Sequence, residues 1–246
     1  MQSEQNREFN RRLQREKQLN SILNRILRHN LRNKITIIDG YLTHAVAPQL
    51  ADEESGTTDE IRTAVEELKT ISEKAAHLNR QLDREPVLRT VSALNEAVSE
   101  TAERTAMRFP SAHISTTLAD ESEQNVVLPS AFEWLLEELL ENAVEHNDSG
   151  VARASVAVTT TNDGVQLVVT DDGPGLPAIE RELALQELED PLTHSEGIGL
   201  WAVRILIDQA GGSVQFTEAE TGGVEIVLTV DYPSHSDAMG RDFASV

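Results

Sequence analysis

The stretch of sequence that decides the fold reads Glu138-Leu139-Leu140-Glu141-Asn142-Ala143-Val144-Glu145-His146-Asn147. It follows Pro129, a residue type that favours the first turn of a helix, and is therefore predicted to be helical. Residues four apart on a helix share one face, which here is polar and carries Glu138, Asn142 and His146. The neighbouring face is apolar and is predicted to pack on a sheet through Leu135, Leu139 and Ala143.

Two glycine-rich segments follow this helix. Asp171-Asp172-Gly173-Pro174-Gly175 ends an apolar strand, and Gly197-Ile198-Gly199-Leu200 precedes a helix. A carboxylate at a strand end can accept a hydrogen bond from an exocyclic amine, which distinguishes adenine from guanine, and glycines let the backbone approach a flat base. The N–H groups at a helix start attract phosphate oxygens. Each segment alone is a common turn, but the three motifs in this order within about seventy residues predict a nucleotide pocket.

Asn142 is the candidate metal ligand of this pocket. The carbonyl oxygen of its amide is a hard, neutral ligand that suits Mg²⁺, an ion that keeps several waters and bridges phosphates. The metal would also offset the charge of a triphosphate on an acidic protein. The ordinary alternative for the polar face of this helix is a solvated surface without a ligand.

Charge and composition limit the function. The 246 residues include 42 acidic and 21 basic ones, for a formal net charge of -21, which argues against binding of nucleic acid or an anionic membrane. Such a balance favours the acidic surface typical of salt-adapted proteins. The absence of cysteine excludes disulfides and thiolate sites. No apolar run approaches the ~20 residues that span a bilayer. The N-terminus is polar and shows no signal peptide, so we expect no membrane insertion and a cytoplasmic location.

The N-terminal third is predicted to be a helical hairpin. From Ser3 to about Val46 the chain contains no proline and carries an apolar stripe of leucine and isoleucine. Pro48 and the polar run 52–58 are expected to form a loop, and a second amphipathic helix to extend from residue 58 or 59 to about Arg84. One hairpin cannot bury both stripes. We therefore expect two chains to associate as a homodimer with a four-helix bundle.

Glu85-Pro86 marks the predicted domain boundary. We expect a coiled-coil connector over residues 1–20, the hairpin over 21–85, a second domain over 86–232 and a loose tail over 233–246. In the second domain, helices are predicted at 92–108, from 129 onward, at 179–187 and at 200–210. Strands are predicted at 86–88, 112–118, 154–160, 165–171, 213–218 and 224–231. This order predicts an α+β fold, an α/β sandwich with one mixed sheet covered by helices.

The three motifs together resemble the N box and the two glycine-rich boxes of the ATP-binding domain shared by histidine kinases, gyrase-type ATPases, Hsp90-type chaperones and MutL-type repair proteins, the GHKL group. The resemblance covers about residues 86 to 232 and implies the fold of that domain and the use of ATP with Mg²⁺. It implies that Asn142 is the Mg²⁺ ligand, that Asp171 anchors adenine and that His146 lies beside the base. The residues that it places in the two loops are Gly173, Gly175, Gly197, Gly199 and Leu200.

A fourth motif lies far upstream, Leu27-Arg28-His29-Asn30-Leu31-Arg32-Asn33. It resembles the H box of histidine kinases, particularly the versions of salt-loving archaea. The resemblance implies that His29 receives the γ-phosphoryl group and that a response-regulator receiver domain is the partner. It also implies that Asn33 positions the water that removes phosphate from that partner's aspartate. A neutral imidazole nitrogen is a competent nucleophile near neutral pH. Taken alone, His29 has the ordinary alternative of a solvated helical histidine.

The chain departs from the family's pattern at several positions that bear on the rate of transfer. Asn30 stands where an acidic residue is usual, and loss of a general base lowers a rate by roughly 10²–10⁴-fold. Lys34 stands where a proline is usual, and Glu145 stands where a phosphate-contacting lysine is usual. Trp201 replaces a glycine and Val224 replaces a threonine.

Three functions follow as alternatives. The first is a two-component histidine kinase that phosphorylates its own His29 from Mg-ATP, in cis or in trans, and passes the group to a response-regulator aspartate, with phosphatase activity in addition. The second is a GHKL-type ATP hydrolase in which Glu138 activates water. The third is a nucleotide-gated signalling scaffold with weak catalysis, motivated by Asn30, Glu145 and Trp201.

Overall fold

The computed structural model describes residues 54–147, 150–175, 198–220 and 222–233, together with Ile35, Thr36 and Ile38, which are helical. Several predictions lie outside the described residues: those for His29, Asn33 and Gly197, for the connector at 1–20, for the helix at 179–187 and for nearly all of the tail. The chain divides into two compact units. One contains residues up to His77 and 188–198, and the other contains Leu78–Glu187 and Gly199–Val246.

Helix α1 extends from Glu54 to Leu82. Its buried apolar side chains lie on one helical stripe and are Ala64, Ile71, Ala75 and Leu78. The sequence predicted this stripe through Ile71, Ala75 and Leu78 but did not include Ala64. Val65, which the sequence placed on the same stripe, is 49% exposed. The predicted loop over 52–58 was also wrong from Glu54 onward, because that run contains no proline and acidic residues are favourable in the first turn of a helix.

The larger unit is built around a five-stranded mixed sheet with the strand order β2-β4-β5-β7-β6. Its strands are β2 (His113–Thr117), β4 (Arg153–Thr160), β5 (Gly164–Asp171), β6 (Ser213–Glu218) and β7 (Val224–Asp231). The β2–β4 pair is parallel and the other pairs are antiparallel. A separate antiparallel pair joins β1 (Val87–Thr90) to β3 (Asn125–Leu128). The predicted α/β sandwich is confirmed for this unit, while β3, a run of only four residues, was not predicted.

Three helices of the larger unit are α2 (Val91–Arg108), α3 (Phe132–Glu145) and α4 (Ile198–Gln209). Thr90 caps α2, since its Oγ1 accepts a hydrogen bond from the Ala93 N–H at 3.1 Å. Residues alternate between buried and half-exposed along the central strands, and helix α3 contacts β4 and β5. The core of the sheet is formed by Ala154, Val156, Val158, Val165, Leu167, Val169, Ile226, Leu228 and Val230. Across the parts of the chain that the structure describes, every helix is too short or too polar to cross a bilayer.

The last turn of α1 belongs to the larger unit and is held there by two side chains. The amide Nε2 of Gln209, at the end of α4, donates to the backbone oxygens of Leu82 at 3.0 Å and Arg84 at 3.2 Å. The hydroxyl of Ser130 donates to Oε1 of the buried Gln81 at 3.4 Å. Carbonyls at a helix end have no partner within the helix, so the Gln209 amide stabilises the point at which α1 stops.

Helices α2 and α3 are joined by an ion pair between Arg108 and Glu141. The Glu141 side chain is only 11% exposed, whereas that of Arg108 is 58% exposed. Burial raises the pKa of Glu141, the Arg108 guanidinium lowers it, and the neighbouring carboxylates of α3 raise it again, so that the net direction is upward. Arg108 is therefore the cation that makes a charged carboxylate tolerable in this position.

Replacing Arg108 is expected to destabilise the protein chiefly through Glu141. We expect Arg108→Ala to lower the free energy of unfolding at neutral pH by about 1–3 kcal/mol, because a buried carboxylate loses its charged partner. The loss should become smaller as the pH falls, since the pKa of Glu141 rises further in the variant and the folded state then binds a proton more readily. Urea denaturation measures both effects. An equal loss in a Glu141→Gln background would contradict the assignment.

Candidate functional site

The polar face of α3 changes in exposure along its length. Glu138 is 5% exposed, Asn142 is half-buried and His146 is exposed. His146 caps the end of the helix, where its N–H donates to the backbone oxygen of Asn142 at 3.2 Å. The predicted apolar face is confirmed by the burial of Leu135, Leu139 and Ala143. Helix α3 thus presents one buried carboxylate, one amide and one exposed imidazole in a row.

The start of α4 lies against this face. A Cβ atom on Gly199 would lie 3.1 Å from Oε2 of Glu138 and 3.2 Å from Nδ2 of Asn142, which is tighter than ordinary side-chain contacts. Gly199 is buried and Leu200 is half-buried. Glycine lets the first turn of α4 approach the two side chains without displacing them. The structure therefore places Gly199 of the second glycine-rich segment beside the helical motif.

Asp171 ends strand β5 and is held by backbone groups. Its Oδ1 accepts hydrogen bonds from the N–H of Gly173 at 2.8 Å and from the N–H of Val224 at 3.2 Å. Burial raises the pKa of Asp171, the two N–H groups lower it and the Asp172 carboxylate raises it, so that the net direction is upward. The carboxylate is thus oriented by the protein itself.

Gly223 is a site residue whose role sequence reasoning missed. A Cβ atom there would lie 2.2 Å from the backbone oxygen of Asp171 and 2.4 Å from its Oδ1, so no side chain can be accommodated without movement of the backbone. The pair Gly222-Gly223 is visible in the sequence, where it is typical of a hairpin turn. The second role follows from the pairing of β5 with β7, which places this turn against the end of β5.

The glycines of the first segment lie beside the end of α3. Gly175 has a φ of +80°, a backbone conformation that L side chains rarely adopt. A Cβ atom on Gly173 would lie 3.1 Å from Oδ1 of Asp171 and 3.9 Å from the backbone oxygen of His146. The segment that follows β5 and the residue that caps α3 are therefore neighbours.

The side chains beside Gly199 supply ligand atoms that fit Mg²⁺ and a nucleotide. Within the described ranges, no group of three or more His, Asp or Glu side chains could hold a metal ion by itself. Asn142 and Glu138, both beside Gly199, supply one amide and one carboxylate. A site with so few protein ligands suits Mg²⁺, because this ion keeps waters and takes phosphate oxygens as its other ligands.

Asp171→Asn is expected to make the free energy of unfolding less dependent on pH. The folded-state pKa of Asp171 lies above its ordinary value of 3.8, so the folded state binds this proton more tightly. The stability associated with the protonated form is present below the ordinary pKa and is lost as the pH rises through the raised one. Asparagine lacks this loss and keeps an oxygen for Gly173 and Val224. The free energy of unfolding of the variant minus that of the wild type should therefore increase above pH 3.8, measured by urea denaturation between acid and neutral pH. A difference that does not change with pH would contradict the raised pKa.

Residues 128–234 match the family described as histidine kinase-, DNA gyrase B-, and HSP90-like ATPase. The sensor-type histidine kinase PrrB of Mycobacterium leprae is 28% identical over 112 residues, which are 44% of this chain and 25% of that protein. The sensor histidine kinase CpxA of Escherichia coli is 29% identical over 106 residues, which are 41% of this chain and 22% of that protein. The matched segments thus span about a quarter of the length of these relatives.

The fold has a counterpart among solved structures. Histidine kinase ThkA, in a crystal structure of its complex with the response regulator protein TrrA, matches with a TM-score of 0.61 and 19% identity, over 94% of this chain and 67% of that one. At this identity the likeness concerns the fold alone. Taken with the family match, it means that the segment from residue 128 to residue 234 carries the α/β ATP-binding fold of the histidine kinase-, DNA gyrase B- and HSP90-like ATPases.

Proposed function

We propose that this chain is an ATP-dependent protein-histidine kinase of a two-component system, acting in the cytoplasm. The observation that carries the proposal is the contact of Gly199 with Glu138 and Asn142, because it places a helix start beside an amide that can bind Mg²⁺. The family of residues 128–234 and the curated relatives named sensor histidine kinases support it.

The adenine end of the site is assigned to Asp171 and His146. Asp171 accepts the hydrogen bond of the exocyclic amine, and its orientation is set in advance by the N–H groups of Gly173 and Val224. Val224 replaces the usual threonine of the family, but its contribution here is a backbone N–H that any residue except proline supplies. His146 lies beside the base, while Gly173 and Gly175 allow the chain to follow the base closely.

The phosphate end is assigned to Asn142 and the start of α4. Mg²⁺, when bound, neutralises part of the triphosphate charge, and Asn142 is the side chain that would hold it. The N–H groups of Gly197, Gly199 and Leu200 attract the phosphate oxygens at the positive end of the helix. Positioning and charge stabilisation then supply most of the catalytic gain, as in phosphoryl transfer generally.

The acceptor is His29. An unprotonated imidazole nitrogen forms a bond to the γ-phosphorus, the bond from that phosphorus to the bridging oxygen of ADP breaks, and the proton of the phosphorylated imidazole passes to water. The phosphoryl group then moves to the aspartate of a response-regulator receiver domain, and Asn33 orients water for the reverse, phosphatase step. The ThkA structure, which is a complex with a response regulator, supports this choice of partner. Two chains associate as a homodimer through the segment 21–85.

The decisive experiment uses ATP labelled in its γ-phosphate, with Mg²⁺ and molar KCl. We expect the wild type to acquire acid-labile label and His29→Ala to show only background, because a phosphorylated imidazole hydrolyses in acid. His44→Ala, which removes another histidine from the same predicted helix, is the matched control and should retain the label. Label that survives acid, or that persists on His29→Ala, would defeat the assignment. Nucleotide binding without any label would favour the signalling scaffold instead.

A second candidate function is ATP hydrolysis, and the burial of Glu138 beside Gly199 favours it. A carboxylate in this place can activate water for attack on the γ-phosphate, and loss of a general base lowers a rate by about 10²–10⁴-fold. If the chain is a hydrolase, Glu138→Ala should abolish the steady release of phosphate and His29→Ala should leave it unchanged. Glu133→Ala, which removes an exposed carboxylate from the same helix, is the control. Phosphate release that depends on His29 would exclude this alternative.

A further inference from the structure

Asp172 makes a group of hydrogen bonds that the proposed function does not use. Its Oδ1 accepts from Nδ2 of Asn147 at 2.6 Å and from the backbone N–H of Arg153 at 2.9 Å. The N–H of Asp172 in turn donates to the backbone oxygen of Arg153 at 3.2 Å. These three bonds form what we call the Asp172 clamp.

The clamp joins three separate elements of the larger unit. Asn147 follows the end of α3, Arg153 begins β4 and Asp172 follows β5. Gly173 lies inside the same corner, since a Cβ atom on it would lie 3.9 Å from both Nδ2 of Asn147 and the backbone oxygen of His146. The glycine-rich segment after β5 is therefore held against the end of the helix that carries Asn142.

Adjacent aspartates at this corner have different partners. The carboxylate of Asp171 accepts from Gly173 and Val224, whereas that of Asp172 accepts from Asn147 and Arg153. The side chain of Arg153 adds little, because its Nε is 3.9 Å from Oδ2 of Asp172 and 69% of the side chain is exposed. The short bonds from the Asn147 amide and the Arg153 backbone N–H to a charged acceptor are the strong ones.

We infer that Asp172 is a positioning residue for the nucleotide. Through Asn147 it fixes the end of α3 against the segment after β5, and so sets the distance between His146 and Asp171 across which a base must fit. This inference rests on the proposed function, because it concerns the same site. It additionally requires that the amide–carboxylate pair be intact, whichever of the two residues supplies the amide.

The test exchanges the two halves of the pair. Asn147→Asp alone places two carboxylates at hydrogen-bonding distance, where they cannot both be charged without strong repulsion. We expect it to raise the Kd for Mg-ADP at least about tenfold at neutral pH, the effect of losing one charged hydrogen bond. Adding Asp172→Asn restores an amide opposite a carboxylate and should return the Kd to within about threefold of the wild type. Titration calorimetry in molar KCl measures both, with circular dichroism to verify the fold.

Asn162→Asp is the matched control, because it makes the same chemical change at an exposed turn between β4 and β5, away from the clamp. It should leave the Kd unchanged. If Asn147→Asp does not fold, Asn147→Ala removes the donor without adding charge and is expected to raise the Kd about threefold. A double variant that binds no better than Asn147→Asp, or an unchanged Kd in the foldable single variant, overturns the inference. Absence of Mg-ADP binding by the wild type would instead defeat the proposed function.

Discussion

The approach of Gly199 to the polar face of α3 is the constraint on which the rest of the site depends. It places the N–H groups of a helix start beside the carboxylate of Glu138 and the amide of Asn142, where a Cβ atom would be in tight contact with both side chains. A helix start attracts anions and an amide oxygen attracts a hard cation. The same place therefore suits both a phosphate group and the metal ion bound to it. A Cβ atom at position 199 would require the Glu138 carboxylate and the Asn142 amide to move by a few tenths of an ångström.

Two carboxylates, the buried Glu141 and the half-buried Asp171, give this acidic protein its second constraint. Glu141 and Asp171 both have raised pKa values because burial removes water from them, but they are compensated differently. Glu141 has Arg108, a cation that joins two helices. Asp171 accepts hydrogen bonds from the backbone N–H groups of Gly173 and Val224, which orient its carboxylate. A carboxylate oriented in this way can act as an acceptor for a ligand amine.

The sequence predicted the elements wherever apolar periodicity was long, and it predicted a nucleotide pocket from the order of its motifs. The strands that contain Val156 and Leu167, and the buried face through Leu139, follow from such periodicity. Strand β3 was not predicted because three of its four residues are buried in succession, so its sequence shows no alternation of apolar and polar residues. The need for glycine at position 223 was not predicted because it arises from contact with Asp171, which is 52 residues away in the chain. The partners of Asp172 were not predicted for the same reason, since Arg153 is nineteen residues away in the chain.

Helix α4 takes part both in the candidate site and in the contacts at the end of α1. Its first turn lies at the place where phosphate is proposed to bind, and its last turn carries Gln209, whose amide holds the end of α1 through the carbonyls of Leu82 and Arg84. Gly199 near one end of α4 approaches Glu138 and Asn142, and Gln209 at the other end donates to the carbonyls of Leu82 and Arg84. The need for glycine at position 199 and for a long amide at position 209 therefore arises from two different neighbours of the same helix.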